Sequence, residues 1–60
     1  MKIFVKPVSD SYNSFSESLP NIIFENSSRG TVFISIDGDD REIELKVSEV
    51  KAILAAFESA

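Results

Sequence analysis

The sequence contains no cysteine, no histidine and no tryptophan, and only two of its 60 residues are glycine. The lack of cysteine excludes disulfide bonds, and the lack of both cysteine and histidine excludes an ordinary zinc site. A chain of this length buries only about 60% of the surface that its unfolded form exposes, so we expect marginal stability. Because the chain has neither disulfides nor a zinc site, its stability must come from close packing or from self-association.

Basic residues are also few. Six Lys and Arg stand against ten Asp and Glu, which gives a net charge of −4, and the six are scattered singly along the chain: Lys2, Lys6, Arg29, Arg41, Lys46 and Lys51. Nucleic-acid affinity rests mainly on neutralising phosphates, so we expect no direct binding of DNA or RNA. The acidic balance favours protein partners instead.

Long hydrophobic runs are missing as well. No apolar run approaches the ~20 residues that span a bilayer, and the start of the chain is too short for the apolar stretch of a signal peptide. We therefore expect no membrane association and a cytoplasmic location. Hydrophobic residues at 43% and charged residues at 27% are a globular balance, and they predict one domain over residues 1–60.

The residue inventory argues against catalysis, because it offers no Cys nucleophile, no His base and no Gly-rich phosphate loop. We predict no enzyme activity and no cofactor. An acidic cluster could in principle bind calcium or magnesium, but its one glycine, Gly38, comes second rather than sixth as in an EF-hand. We interpret the cluster as a solvated hairpin turn with no metal ligand, so a metal-dependent enzyme is the weakest alternative. The cluster comprises Asp37, Asp39, Asp40 and Glu42.

Alternating apolar residues between positions 21 and 47 predict three antiparallel strands. A loop of two or of four residues at Asp37–Asp40 gives the same pairing, with Ile34 opposite Ile43 and Val32 opposite Leu45. One face of this hairpin is then apolar and the other mostly polar.

The preceding turn, Asn26–Gly30, has the chemistry of a five-residue hairpin loop in which Gly30 takes a positive φ. This loop length places Ile22 opposite Ile34 and Phe24 opposite Val32. The two turns, taken independently, predict one continuous apolar face.

The two ends of the chain complete the predicted fold. Lys2–Val8 is predicted as an edge strand, with Ile3 and Val5 on one side, Phe4 on the other and Pro7 near its end. The sequence leaves open whether this strand pairs within the chain or across a dimer. Residues 9–20 are rich in serine, which favours a loop, while the spacing of three apolar side chains favours a short helix ended by proline. The three are Tyr12, Phe15 and Leu19.

The C-terminal segment predicts a helix with Ser48 as its N-cap and an apolar stripe that covers the apolar face of the sheet. The stripe comprises Val50, Ile53, Leu54 and Phe57. The predicted fold is therefore α+β: an antiparallel β-meander of three to four strands packed on one face by a C-terminal amphipathic helix. Its order is β-(short helix or loop)-β-β-β-α.

Ile23 and Phe33 fall on the face that is otherwise polar, where they are exposed unless Phe4, Tyr12 or Phe15 covers them. We take Ile23, Phe33, Tyr12 and Phe15 as a candidate interface. The resulting hypothesis is a non-enzymatic protein-interaction module, homodimeric, that uses the outward sheet face or an open strand edge.

The alternative hypothesis is a small acidic inhibitor of phage or mobile-element type that binds a basic surface of a host enzyme or nucleic-acid-binding protein. Stacking of single-stranded nucleic acid on Phe33 and Phe15 ranks last, because glutamates share that face. They are Glu25, Glu42 and Glu44.

The interpretation of the acidic cluster predicts that a metal chelator leaves the thermal unfolding midpoint unchanged. A ligand that binds only the folded state raises this midpoint, so added calcium or magnesium should not raise it either. Thermal unfolding followed by circular dichroism, with chelator and with each ion, measures the effect. A clear ion-dependent rise would show that the turn binds metal.

Overall fold

The computed structural model describes residues 1–9 and 19–60. Within them lie four strands and a helix: β1 (Lys2–Val5), β2 (Ile22–Asn26), β3 (Thr31–Ile36), β4 (Glu42–Lys46) and α1 (Val47–Glu58). The strands form one antiparallel sheet in the order β1-β2-β3-β4, and α1 contacts β4. The predicted α+β meander with a C-terminal helix is confirmed.

β1 is shorter than the predicted Lys2–Val8, because the strand stops at Val5, two residues before Pro7. Proline has no N–H to donate, and it disfavours continued pairing at this point. The strand lies at the edge of the sheet, as its proline indicated. It pairs within the chain, where Ile3 is opposite Phe24.

The predicted pairing of β3 with β4 is confirmed, with Ile34 opposite Ile43. The backbone N–H of Asp39 donates to the carbonyl oxygen of Ile36 at 2.9 Å, which closes a turn around Gly38. Gly38 has a φ of 92°. A positive φ at the third position is what a type II turn requires, and glycine supplies it without strain.

The predicted pairing of β2 with β3 is wrong by two residues, because Ile22 lies opposite Ile36 and Phe24 lies opposite Ile34. The loop between the strands is shorter than the five residues expected. Side chains in a strand alternate with a period of two, so a shift of two residues leaves each of them on its predicted face. The predicted composition of the apolar face is therefore correct although the predicted register is not.

The shorter loop has a local cause in the side chain of Ser27. Its hydroxyl oxygen accepts a hydrogen bond from the backbone N–H of Arg29 at 3.0 Å and lies 2.7 Å from the hydroxyl of Thr31. The backbone N–H of Ser27 also donates to the carbonyl oxygen of Thr31 at 2.9 Å. A three-residue loop ending in Gly30, with a φ of 74°, therefore joins the strands.

The sheet has two chemically different faces, which the register defines. The apolar face carries Ile3, Val5, Ile22, Phe24, Val32, Ile34, Ile36, Ile43 and Leu45, with Asn26 as its one polar residue at the end of β2. The mixed face carries Lys2, Phe4, Ile23, Glu25, Thr31, Phe33, Ser35, Glu42, Glu44 and Lys46.

The helix begins earlier than predicted, because its N-cap is Lys46 rather than Ser48, and no side chain caps it. The backbone N–H of Val47 donates to the carbonyl oxygen of Gly30 at 3.1 Å, so the sheet satisfies this donor. This bond serves only the first helical N–H, whereas a serine cap would accept from the second or third. Glu49 lies in the first turn, where a carboxylate is favourable against the helix dipole.

The segment that precedes β2 is described only at its ends. Leu19 is 6% exposed, the lowest value among the described residues. Its carbonyl oxygen accepts a hydrogen bond of 2.8 Å from Nζ of Lys6, which fastens this end to the chain after β1. The predicted choice between helix and loop for residues 9–20 falls largely on positions outside the described residues.

The β2–β3 turn predicts that Gly30→Ala destabilises the fold by about 1 kcal/mol, because a side chain disfavours a positive φ. No atom lies within 4 Å of a Cβ added at Gly30, so the cost comes from the backbone alone. Gly30→Asn is the matched control, since asparagine tolerates this conformation better than alanine. Urea denaturation measures both; an alanine variant as stable as the native chain would contradict the turn geometry.

Candidate functional site

In the part of the chain that the structure describes, the apolar face of the sheet is largely uncovered. Ile43 is 61% exposed, and Ile3, Val5 and Ile36 are also exposed. The helix contacts the sheet chiefly at β4, yet Ile43 on that strand is exposed, so most of the cover that the sequence predicted is missing. This group of exposed apolar side chains is therefore the candidate functional site.

Two depressions follow this uncovered face. The larger, about 410 Å³, is lined by four isoleucines, Ile22, Ile34, Ile36 and Ile43, and by four polar residues, Ser35, Asp39, Arg41 and Glu42. The smaller, about 220 Å³, is shared with the chain around β1 and is lined by Pro7, Ser9, Leu19, Pro20, Ile22 and Ile36. Both include Ile22 and Ile36, so the two depressions adjoin along the apolar face.

The helix carries a second uncovered apolar surface. Val50 is half-buried, whereas Ile53, Leu54 and Phe57 are 52%, 57% and 75% exposed. We call these four residues the helix stripe. The stripe was predicted to lie against the apolar face, and beyond its first member it lies in solvent.

The structure places two of the four candidate interface residues together on the mixed face. Ile23 and Phe33 are both half-buried, and they are diagonal neighbours because Ile23 lies opposite Ser35. Phe4 lies directly opposite Ile23 on its other side and is 55% exposed. Phe4 therefore extends the pair sideways and does not cover it. We call Phe4, Ile23 and Phe33 the mixed-face cluster.

The other two candidate residues, Tyr12 and Phe15, lie outside the described residues. Their place in the interface stays a sequence prediction. From the sequence, Phe4 was expected only as a cover for Ile23 and Phe33. The alternation of β1 already set Phe4 apart from Ile3 and Val5, and that signal could have assigned it to the cluster.

Ionic contacts border the mixed-face cluster. Phe33 lies between Glu25 on β2 and Glu44 on β4. One carboxylate oxygen of Glu44 accepts hydrogen bonds from the guanidinium of Arg29 at 3.0 Å and from the hydroxyl of Thr31 at 2.6 Å. These bonds tie the β2–β3 turn to β4 and offset the charge of Glu44.

The acidic turn contains a second ion pair. The carboxylate of Asp39 accepts hydrogen bonds from the side chain of Arg41 at 3.1 and 3.3 Å and from its backbone N–H at 2.9 Å. The side-chain hydrogen bond from Arg41, followed by the backbone one, lowers the pKa of Asp39. Asp39 therefore stays ionised and bound to the arginine of its own turn.

In the part of the chain that the structure describes, no group of three or more Asp, Glu, His or Cys side chains is placed to hold a metal ion. No helix in residues 1–9 and 19–60 has the length and apolar character that crossing a bilayer takes. What these residues do present is exposed apolar surface, on the sheet and on the helix. No protein-family model, curated protein or solved structure matches the chain.

Proposed function

We propose that the chain is a non-enzymatic protein-interaction module that works as a homodimer. The observation that carries this proposal is the surface area of the single chain, 5008 Å². A compact monomer of the same mass exposes about 3,900 Å², so the excess is about 1,100 Å². A stable interface removes about 800 Å² from each partner, which a single second copy can provide.

The shape of the chain supports the same proposal. Its radius of gyration is 13.1 Å, whereas a compact domain of 60 residues has about 10 Å. The thinnest dimension is 17 Å, against 33 and 32 Å for the others. Stable domains consist of at least two packed layers around a core, and most of this sheet has only one.

The number of exposed apolar side chains and the neighbouring charges favour the apolar face over the mixed-face cluster as the place of self-association. On the apolar face Ile3, Val5, Ile36 and Ile43 are exposed, whereas in the mixed-face cluster Phe4 is exposed and Ile23 and Phe33 are half-buried. The glutamates on either side of Phe33 would also have to lose water in an interface, which is costly without new partners. The apolar face has isoleucine side chains in the equivalent central positions.

The open strand edges are less suited to self-association than the faces of the sheet. β1 has four residues, begins with Lys2 and is followed by Pro7, and β4 alternates Glu42, Glu44 and Lys46 with its apolar residues. Short length, charged side chains and proline are the features by which edge strands avoid pairing with other chains. We therefore assign the contact to a face of the sheet.

Two lysine substitutions test the proposal and its placement. We expect the native chain to sediment as a dimer that dissociates on dilution, Ile43→Lys to sediment as a folded monomer, and Phe33→Lys to remain a dimer. A lysine at position 33 lies opposite Glu25 and Glu44, and each such pairing contributes roughly a few tenths of a kcal/mol. Circular dichroism confirms that each variant keeps its sheet and helix.

The two parts of the proposal fail in different ways. A native chain that is monomeric at every concentration contradicts the homodimer. A dimer that Phe33→Lys dissociates and Ile43→Lys does not would place the interface on the mixed face, where the sequence predicts Ile23 and Phe33. Ile23→Lys should then behave like Phe33→Lys.

A further inference from the structure

The connection between β4 and α1 contains no linker. The strand ends at Lys46 and the helix begins at Val47. Lys46 has extended backbone angles, with φ −70° and ψ 134°, and the N–H of Val47 is held by the carbonyl oxygen of Gly30 at 3.1 Å. A strand-to-helix connection that reverses the chain takes about 2–6 residues.

A missing linker limits where the helix can lie. Because α1 follows β4 without a linker and contacts the sheet chiefly at β4, we infer that it does not fold back across the sheet. This geometry explains why the helix stripe is exposed although the apolar face of the same chain is free. Within residues 1–9 and 19–60, two apolar surfaces are therefore uncovered, and they do not cover one another.

We propose that α1 of each chain packs its helix stripe on the apolar face of a second copy, in a reciprocal exchange of helices. This proposal rests on the proposed homodimer and specifies its arrangement. The exchange uses both surfaces of both chains, so a two-fold axis relates the two helix–sheet contacts and the assembly closes at two copies. The helix of each chain then forms the second layer on the sheet of the other chain.

The dimensions of the two surfaces agree. Twelve residues make α1 about 18 Å long, and three strand spacings place β1 and β4 about 14 Å apart, so the helix spans the sheet. The depression of about 410 Å³ on the apolar face lies between isoleucines of β2, β3 and β4. It offers space for side chains such as Leu54 and Phe57, which are the two most exposed members of the stripe.

The chain lacks cysteine, so single introduced cysteines can report the arrangement without background. Leu54→Cys, isotope-labelled, and Ile43→Cys are unfolded together in urea, refolded and oxidised. We expect a disulfide between the two different chains, because the exchange brings the stripe of one within reach of the apolar face of the other. Mass spectrometry identifies this mixed disulfide by its label. Phe57→Cys provides a second position on the stripe should Leu54→Cys fail to refold.

Matched controls place each cysteine on the opposite surface. Ala52→Cys lies on the far side of the helix from the stripe, and Glu42→Cys lies on the mixed face beside Ile43. We expect loss of the mixed disulfide when Ala52→Cys replaces Leu54→Cys, and equally when Glu42→Cys replaces Ile43→Cys. Equal yields with the controls would show random collision and overturn the exchange.

A chain carrying both Leu54→Cys and Ile43→Cys separates the remaining outcomes. A disulfide within one chain shows that the helix reaches its own sheet, and this result overturns the exchange. A dimer by sedimentation without the mixed disulfide also overturns the exchange while the homodimer stands. A monomer at every concentration contradicts the proposed function itself.

Discussion

No residue separates the last strand from the helix, and this junction determines which surfaces the single chain can bury. The hydrogen bond from Val47 to Gly30 fixes the first residue of the helix against the β2–β3 turn. The helix follows β4 directly, and its contacts with the sheet are chiefly with that strand. An apolar sheet face and an apolar helix stripe remain in solvent. A chain of 60 residues buries little surface, so leaving both exposed reduces its stability markedly.

The strand pairings show when turn residues are sufficient to predict the register of two strands. The register of β3 and β4 followed from the sequence because both plausible loop lengths at Asp37–Asp40 give the same pairs. The register of β2 and β3 did not, because the hydroxyl of Ser27 closes the loop with Thr31 and shortens it. A serine side chain in a turn either forms a hydrogen bond with the backbone or does not, and composition alone does not show which of these occurs.

The candidate site was predictable in its parts but not in its arrangement. Alternation placed Ile23 and Phe33 on one face, and the structure agrees. The predicted cover of the apolar face by the helix was wrong. A hydrophobic period identifies the apolar face of an element, but it does not show whether the connecting segment allows two such faces to pack together. The signal was present in the sequence: between Leu45 and Val50 stand no glycine, no proline and no turn dipeptide that would reverse the chain.

Reciprocal exchange of α1 is the central claim, and contacts between chains test it most directly. A dimer refolded from an equal mixture of isotope-labelled and unlabelled chains allows an NMR experiment that detects only contacts between different chains. The account predicts such contacts from the side chains of Leu54 and Phe57 to those of Ile36 and Ile43. Contacts between these residues within one chain, with none between chains, would contradict it.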